Sequence, residues 1–345
     1  MEASYRGAGG TGWDKLFHGL LVVVVLPTMV DPRIPPYKLI ATAVMAACTV
    51  LSLVLWLTGP LDVHRHEIFQ QYVGMTLLMA ALAGAMTVVR DRMLDQIDMD
   101  LLKTAIRWAP EVLQLMIFLY WVPGMITIAD YLVLPISLPL VDALLAAPEE
   151  AIGLTHPVSF AWFERHGLVP AFASIYALLD GQVKLVAAYY LLVKRDLFRL
   201  WQYTASVAAA GVVAVGALWA LPARGPTTYY EGQYPVMPPA TEYIGVLDAL
   251  RAGEMLDYGS IAGLLSCPSF HTVFALLLTR AWIDAPKPVF AIAAVVNSLV
   301  VVSTIPIGSH YLVDIAGGIV WSVLFAVGID RLARRLTPTE APAAG

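Results

Sequence analysis

The chain has 345 residues, of which 59% are hydrophobic and 14% are charged, and its mean hydropathy is +0.72. Soluble domains carry about 25% charged residues, so this composition excludes an ordinary soluble protein and indicates a polytopic membrane protein. The net charge of −5 leaves no basic surplus for nucleic acid, and two cysteines, Cys48 and Cys267, are too few for a disulfide framework.

Apolar stretches recur along the chain, and a spanning helix needs about 20 mostly apolar residues. We therefore predict an all-α membrane protein with about nine transmembrane helices, eight or ten being the alternatives. The first span is short, contains Pro27 and is compatible with a re-entrant segment. The predicted spans are 16–30, 39–57, 67–89, 111–129, 170–193, 200–221, 266–283, 288–305 and 311–330.

The basic residues predict the orientation, because cytoplasmic loops carry an excess of Lys and Arg. With the amino terminus outside, fourteen of the 21 basic residues fall in cytoplasmic segments and six in outer segments. We predict a cytoplasmic interfacial helix at 90–110. Two long outer segments, 130–169 and 222–258, are expected to cover an active site. Glu149 and Glu150 in the first of them are expected to form a solvated edge.

Candidate catalytic residues concentrate between 266 and 314. The seventh and ninth predicted spans run in the same direction, so His271 and His310, near their outer ends, are expected to be neighbours. Asp314 follows His310 by four residues and is expected on the same helical face. There it can orient the imidazole of His310 as a nucleophile, which leaves His271 as the general acid. The alternatives to a catalytic role are a metal half-site or a structural His–Asp pair.

Two further features of this stretch favour anion binding. Ser269 follows a proline at a predicted helix start, where a hydroxyl and the helix dipole favour a phosphate. Gly308 and Ser309 give a flexible approach and a capping hydroxyl before His310. A polar pair elsewhere, Asp180 and Lys184 in the fifth span, is either a neutralised pair facing the bundle or a head-group contact or polar relay.

These residues resemble two motifs of the type-2 phosphatidic acid phosphatase superfamily. The motif Pro-Ser-x-His is present at 268–271. The motif Ser-Arg-x5-His-x3-Asp is matched at Ser303, His310 and Asp314, with Thr304 in place of the arginine. The local forms Pro-Ser-Phe-His-Thr and His-Tyr-x-x-Asp are similar to the branch that contains fungal inositol phosphorylceramide synthases and their bacterial relatives.

The resemblance implies a six-helix phosphatase-type core preceded by three extra helices. We therefore predict an amino-terminal membrane region at 1–109, a catalytic membrane domain at 110–335 and a disordered tail at 336–345. The family reaction passes through a phosphohistidine and uses no metal or cofactor. The resemblance places the nucleophile at His310, the leaving-group acid at His271 and the orienting carboxylate at Asp314.

The missing motif arginine leaves the phosphate short of positive charge. We predict that the phosphate is bound by the outer-loop residue Arg224, in a Pro-rich segment at the end of a span, together with Ser269, Ser303, Thr304 and Gly308. Arg251 is the other outer-loop basic residue near the motifs in sequence.

The favoured function is a membrane lipid phosphotransferase, similar to inositol phosphorylceramide synthase, that moves a phospho-head group from a phospholipid to a lipid alcohol. The first alternative is a lipid phosphate phosphatase with water as acceptor. The second is a non-catalytic membrane protein with a degenerate site. The expected location is a bacterial inner (plasma) membrane, with the active site facing the periplasm or exterior and no nucleic-acid partner.

Overall fold

A computed structural model provides the fold and describes residues 33–58, 75–93, 100–194, 196–233, 238–253, 264, 267–307 and 310–337. In these ranges all regular elements are helical and none is a β-strand. The predicted all-α class is therefore confirmed.

The helices are labelled in chain order. They are α1 (Ile34–Thr58), α2 (Met75–Met93), α3 (Asp100–Val133), α4 (Asp142–Ala151), α5 (His156–Arg165), α6 (Val169–Ala188), α7 (Phe198–Ala220), α8 (Pro226–Tyr229), α9 (Pro238–Arg251), α10 (Phe270–Ala281), α11 (Lys287–Ser303) and α12 (Leu312–Leu336). A 3₁₀ turn, Leu134–Ile136, follows α3, and a π-helical segment, Tyr189–Lys194, continues α6.

Five stretches within the described residues are long and apolar enough to cross a membrane, which supports an integral membrane protein. They are Ile34–Leu55, Ala109–Ile136, Val169–Lys194, Phe198–Ala220 and Leu312–Leu336. Each coincides with a predicted span. Helices α10 and α11 are apolar but shorter, and they lie where the seventh and eighth spans were predicted. The predicted count of nine is not confirmed, and the first predicted span, 16–30, lies outside the described residues.

The segment 90–110, which was predicted to be cytoplasmic, differs from the prediction. Residues 90–93 end α2, whereas residues 100–110 begin α3, which continues without a break to Val133 through Pro110 and Pro123. A separate interfacial helix at 90–110 is therefore wrong for the described part of that segment. The predicted boundary between residues 109 and 110 falls inside α3, and the division of the chain into regions stays a prediction.

Helix α7 lies at the centre of the bundle and is buried along most of its length. It packs against α1, α3, α10 and α12. Small side chains allow this, because helices in membranes approach closely where Gly, Ala and Ser line their contact. A Cβ at Gly211 would lie 2.1 Å from the Ile126 side chain of α3 and 3.3 Å from the Phe270 ring of α10.

The starts of α10 and α12 are in direct contact. A Cβ at Gly318 would lie 2.7 Å from the carbonyl oxygen of Ser269 and 2.8 Å from Cβ of Thr272. The lack of a side chain at Gly318 therefore allows this close contact. The two helices therefore begin at the same end of the bundle, which brings the two motif histidines to that end.

Candidate active site

His310 and Asp314 form a buried pair at the start of α12. Nδ1 of His310 lies 3.5 Å from Oδ2 of Asp314, and the two side chains are 5% and 0% exposed. The same carboxylate oxygen accepts the backbone N–H of Tyr311 at 3.0 Å, which caps the helix. A capped carboxylate has a fixed position, so it can hold the imidazole with Nδ1 towards it and leave Nε2 for reaction.

His271 lies near this pair, in the first turn of α10. Its ring interacts electrostatically with His310. Its Nδ1 is 2.9 Å from the hydroxyl oxygen of Tyr176 on α6, and the two rings stack with centroids 4.2 Å apart. The structure thus brings together the three residues that the sequence predicts to be catalytic, and it adds Tyr176.

Ser269 caps α10. Its hydroxyl oxygen accepts the backbone N–H of Thr272 at 3.4 Å and the Thr272 hydroxyl at 3.1 Å. Its own backbone N–H donates to the carbonyl of Asp314 at 2.9 Å. The phosphate contact predicted for Ser269 would therefore come from its hydroxyl and not from its backbone N–H.

The second group of predicted phosphate-binding residues lies at the end of α11. The hydroxyls of Ser303 and Thr304 each donate at 2.6 Å to a carbonyl three residues earlier, those of Val300 and Val301. Both side chains are fully buried. Gly308 and Ser309 lie outside the described residues.

Arg224 is directed towards α9. Its Nε and one terminal nitrogen each lie 2.9 Å from Oδ1 of Asp248, and both side chains are about 40% exposed. The structure therefore places this guanidinium in an exposed ion pair with Asp248. Arg251 is bound to the Ser137 hydroxyl and to the Leu138 carbonyl, the latter at 3.1 Å.

Glu149 corrects one expectation, because it is 1% exposed and does not lie on a solvated edge. One carboxylate oxygen accepts the backbone N–H of Leu312 at 3.1 Å, and the other accepts that of His156 at 3.0 Å. Burial raises the pKa of Glu149. This carboxylate ties the outer segment directly to the start of α12.

His156 holds the other side of the same loop. Its Nε2 lies 2.9 Å from the carbonyl oxygen of Ile305, beside Thr304, and its ring interacts electrostatically with His310. Burial lowers the pKa of His156 to about 4. Glu149 binds the chain directly after His310 and His156 binds it before His310. We call these two contacts the clamp.

Asp142 forms a third tie to the outer segments. It accepts the Tyr311 hydroxyl at 2.8 Å and the backbone N–H of Gly225 at 2.9 Å, both through Oδ1, and the N–H of Arg224 through Oδ2 at 3.1 Å. Asp142 thus joins the start of α12 to the chain at Arg224 and Gly225.

Sequence reasoning missed Asp142, Glu149, His156 and Tyr176, although two patterns were available. Asp142 and Glu149 are seven residues apart, which places them on one face of a helix. Tyr176 precedes Asp180 by four residues, so it shares a face with the polar pair of the fifth span. In the structure Asp180 interacts electrostatically with Tyr176 and with Tyr203 of α7.

The cysteine beside the site remains a thiol. Burial and the nearby Asp314 carboxylate raise the pKa of Cys267 to about 12, and Cys48 is also free. Among the residues that the structure describes, no group of three or more His, Cys, Asp and Glu side chains is arranged to hold a metal ion.

These features define a helical membrane protein with a buried His–Asp pair beside a second histidine. A family model described as the PAP2 superfamily, the type-2 phosphatidic acid phosphatases, matches residues 143–328. The chain belongs to this superfamily. Membership supports a phosphatase-type lipid enzyme. No match was found among curated proteins or among solved structures.

Proposed function

We propose that the protein is a membrane lipid phosphotransferase that acts through a phosphohistidine on His310. One observation carries the proposal: the buried His310–Asp314 pair lies beside His271 where α10 and α12 begin. The substrates would be a phospholipid donor and a lipid alcohol acceptor. A reaction similar to that of inositol phosphorylceramide synthases is part of this proposal.

In the first step, Nε2 of His310 attacks the phosphorus of the donor. A nitrogen–phosphorus bond forms while the bond from phosphorus to the diacylglycerol oxygen breaks. That oxygen takes a proton from His271, a role that typically contributes about 10²–10⁴ in rate. Asp314 stabilises the charge that develops on the His310 ring.

In the second step, the acceptor hydroxyl gives its proton to His271, and its oxygen attacks the phosphorus. The nitrogen–phosphorus bond breaks, and His310 is restored. A lipid alcohol in this step gives transfer, whereas water gives a phosphatase. The same two histidines serve both outcomes, so a lipid phosphate phosphatase is the alternative function.

The outer segments favour transfer over hydrolysis. Residues Asp142, Glu149 and His156 bind the start of α12 and the loop before it. A covering layer of this kind restricts water at the phosphohistidine and offers a surface for a second lipid. The site is proposed to face the periplasm or exterior of a bacterial inner membrane, which the bias of basic residues supports.

The phosphate would be bound by Ser269, Ser303, Thr304, Gly308 and Arg224. To reach the phosphate, Arg224 would have to leave Asp248. This exchange is energetically accessible, because an exposed ion pair contributes only about 0–1 kcal/mol, and the negative charge of a phosphate would compete for the same guanidinium.

The proposal is tested by trapping the phosphoenzyme. The full chain in detergent is incubated with ³²P-labelled phosphatidic acid and phosphatidylinositol, quenched and examined for acid-labile protein-bound label. Wild type should be labelled and His310→Ala should not. Release of inorganic phosphate against label transfer to added ceramide or diacylglycerol then separates phosphatase from transferase. Unchanged turnover in His310→Ala would reject the mechanism, and no turnover by wild type on any donor would favour the non-catalytic alternative.

A further inference from the structure

The two histidines of the site have different partners at Nδ1. Asp314 faces Nδ1 of His310 at 3.5 Å, whereas the Tyr176 hydroxyl faces Nδ1 of His271 at 2.9 Å. The tyrosine ring also stacks on His271 with an interplanar angle of 26°. Stacking and the hydrogen bond together fix both the plane and the rotation of the His271 ring.

The chemical difference between the partners matters for the two roles. A carboxylate accepts a hydrogen bond and also stabilises an imidazolium through its charge, which suits a nucleophile that becomes cationic. A hydroxyl oxygen accepts the same hydrogen bond without a full negative charge. It therefore orients the ring but stabilises the imidazolium less, so the ring gives up its proton more readily.

Asp180 completes the arrangement. It lies one helical turn after Tyr176 and interacts electrostatically with it. A carboxylate in this position favours a Tyr176 hydroxyl whose hydrogen points towards Asp180 and whose lone pairs point towards His271. The polar residue of the fifth span thereby acquires a role through Tyr176.

We propose that Tyr176 is a positioning residue that accepts the Nδ1–H of His271 throughout the reaction, so that Nε2 alone exchanges the proton. The imidazolium gives its Nε2 proton to the leaving oxygen and becomes neutral with hydrogen on Nδ1. The acceptor hydroxyl then returns a proton to Nε2. This inference rests on the proposed function, which makes His271 the acid of the first step.

The kinetic test uses leaving groups that differ in their need for a proton. Phosphatidic acid releases an alkoxide, which requires an acid, whereas p-nitrophenyl phosphate releases a stable phenolate. Tyr176→Phe should lower kcat/KM, which reports formation of the phosphoenzyme, by about tenfold or more for phosphatidic acid and by less than about twofold for p-nitrophenyl phosphate. His271→Ala should show the same selectivity with a larger loss. Tyr189→Phe, whose ring packs on Tyr190 and Trp282, is the matched control and should behave as wild type.

An equal loss on both substrates in Tyr176→Phe would indicate a merely structural role and overturn the inference, as would no loss at all. A second measurement does not depend on turnover. Nitrogen-15 NMR of histidine-labelled protein, with His271→Gln to assign the signal, should show neutral His271 protonated on Nδ1 in wild type and less so in Tyr176→Phe. Identical tautomers in the two proteins would also overturn it. Activity retained in His310→Ala would instead reject the proposed function alone.

Discussion

At one end of the bundle acidic side chains pair with basic ones, whereas at the end that carries His310 the buried acidic side chains accept hydrogen bonds mainly from the backbone. Among the described residues, the ion pairs at the first end include Arg33–Asp196, Lys38–Glu111, Arg199–Asp284 and Arg280–Asp330. The first, third and fourth of these join the starts of α1 and α7 to the ends of α10 and α12, and the second joins α1 to α3. At the second end, Glu149 and Asp314 bind backbone N–H groups, and Asp142 binds two N–H groups and one tyrosine hydroxyl.

This difference indicates that the residues at the first end stabilise the fold and that those at the second end serve the reaction. Side chains in an ion pair hold two helices together, but their charges are already neutralised and interact weakly with a substrate. Carboxylates bound to the backbone fix the loops that carry His310 and leave the imidazoles as the groups that can gain or lose a proton. We therefore expect substitutions at the site end to lower turnover and substitutions at the paired end to lower stability.

The largest effect is expected for His310→Ala. Without the nucleophile, turnover should fall by about 10³-fold or more, as for the loss of a nucleophile elsewhere. The measurement is steady-state turnover of whichever phospholipid wild type consumes. His166→Ala is the matched control, because this exposed imidazole bonds the Trp162 carbonyl of its own helix, and the substitution should leave turnover unchanged. Equal turnover rates in His310→Ala and His166→Ala would contradict a catalytic role for His310.

A smaller loss, about 10²–10³-fold, is expected for Asp314→Asn. Asparagine can still accept the Tyr311 N–H that caps α12, so the fold should persist, but the charge that supports the His310 ring is lost. The rate of phosphoenzyme formation should fall, while thermal unfolding in detergent stays close to that of wild type. A large loss of stability with a normal rate in the remaining folded protein would show a purely structural role.

Glu149→Ala should lower both turnover and stability. The substitution leaves the N–H groups of Leu312 and His156 without their acceptor, and each unpaired buried group costs about 1–3 kcal/mol. Turnover should fall by about tenfold, because the start of α12, directly after His310, loses its contact with Glu149. Glu149→Gln keeps one acceptor and should have a smaller effect on both. Stability and turnover as in wild type for Glu149→Ala would mean that the clamp has no function.

Asp330→Ala tests the opposite end. The substitution removes the ion-pair partner of Arg280. It also removes the acceptor of the Tyr37 hydroxyl and of the Gln202 amide, each of which lies 2.9 Å from Asp330. The free energy of unfolding should fall by about 2–3 kcal/mol, with turnover changed by less than about twofold. A selective loss of turnover would show that the two ends are coupled and would contradict the expected division between stability and turnover.

The smallest effect is a pH dependence from His156. Burial lowers its pKa from 6.5 to about 4, so the unfolded chain binds a proton between these values and the folded chain does not. Stability should therefore fall as pH falls, by about 1.6 kcal/mol between pH 6.5 and 5 from this group. The raised pKa of Glu149 acts in the opposite direction. His156→Gln should lose this part of the dependence in unfolding measured at the two pH values, and an unchanged dependence would count against it.

Much of this protein is determined by its sequence. Hydropathy alone indicates a helical membrane protein, because a bilayer requires long apolar helices with internal hydrogen bonds. The motif spacing predicts His271, His310 and Asp314 as the site residues, since Asp314 is a local partner of His310 and two parallel helices bring their amino-terminal ends together. The sequence signal weakens at short helices such as α10, whose length depends on its neighbours.

The packing of the helices, which the sequence does not reveal, selects which distant side chains contact the motif residues. Tyr176 meets His271 across 95 residues, and Glu149 meets Leu312 across 163. Arg224 has the charge that the motif lacks, yet the structure pairs it with Asp248. Local patterns give the face of a helix but not the helix that it meets, because that choice depends on the packing of the whole bundle around α7.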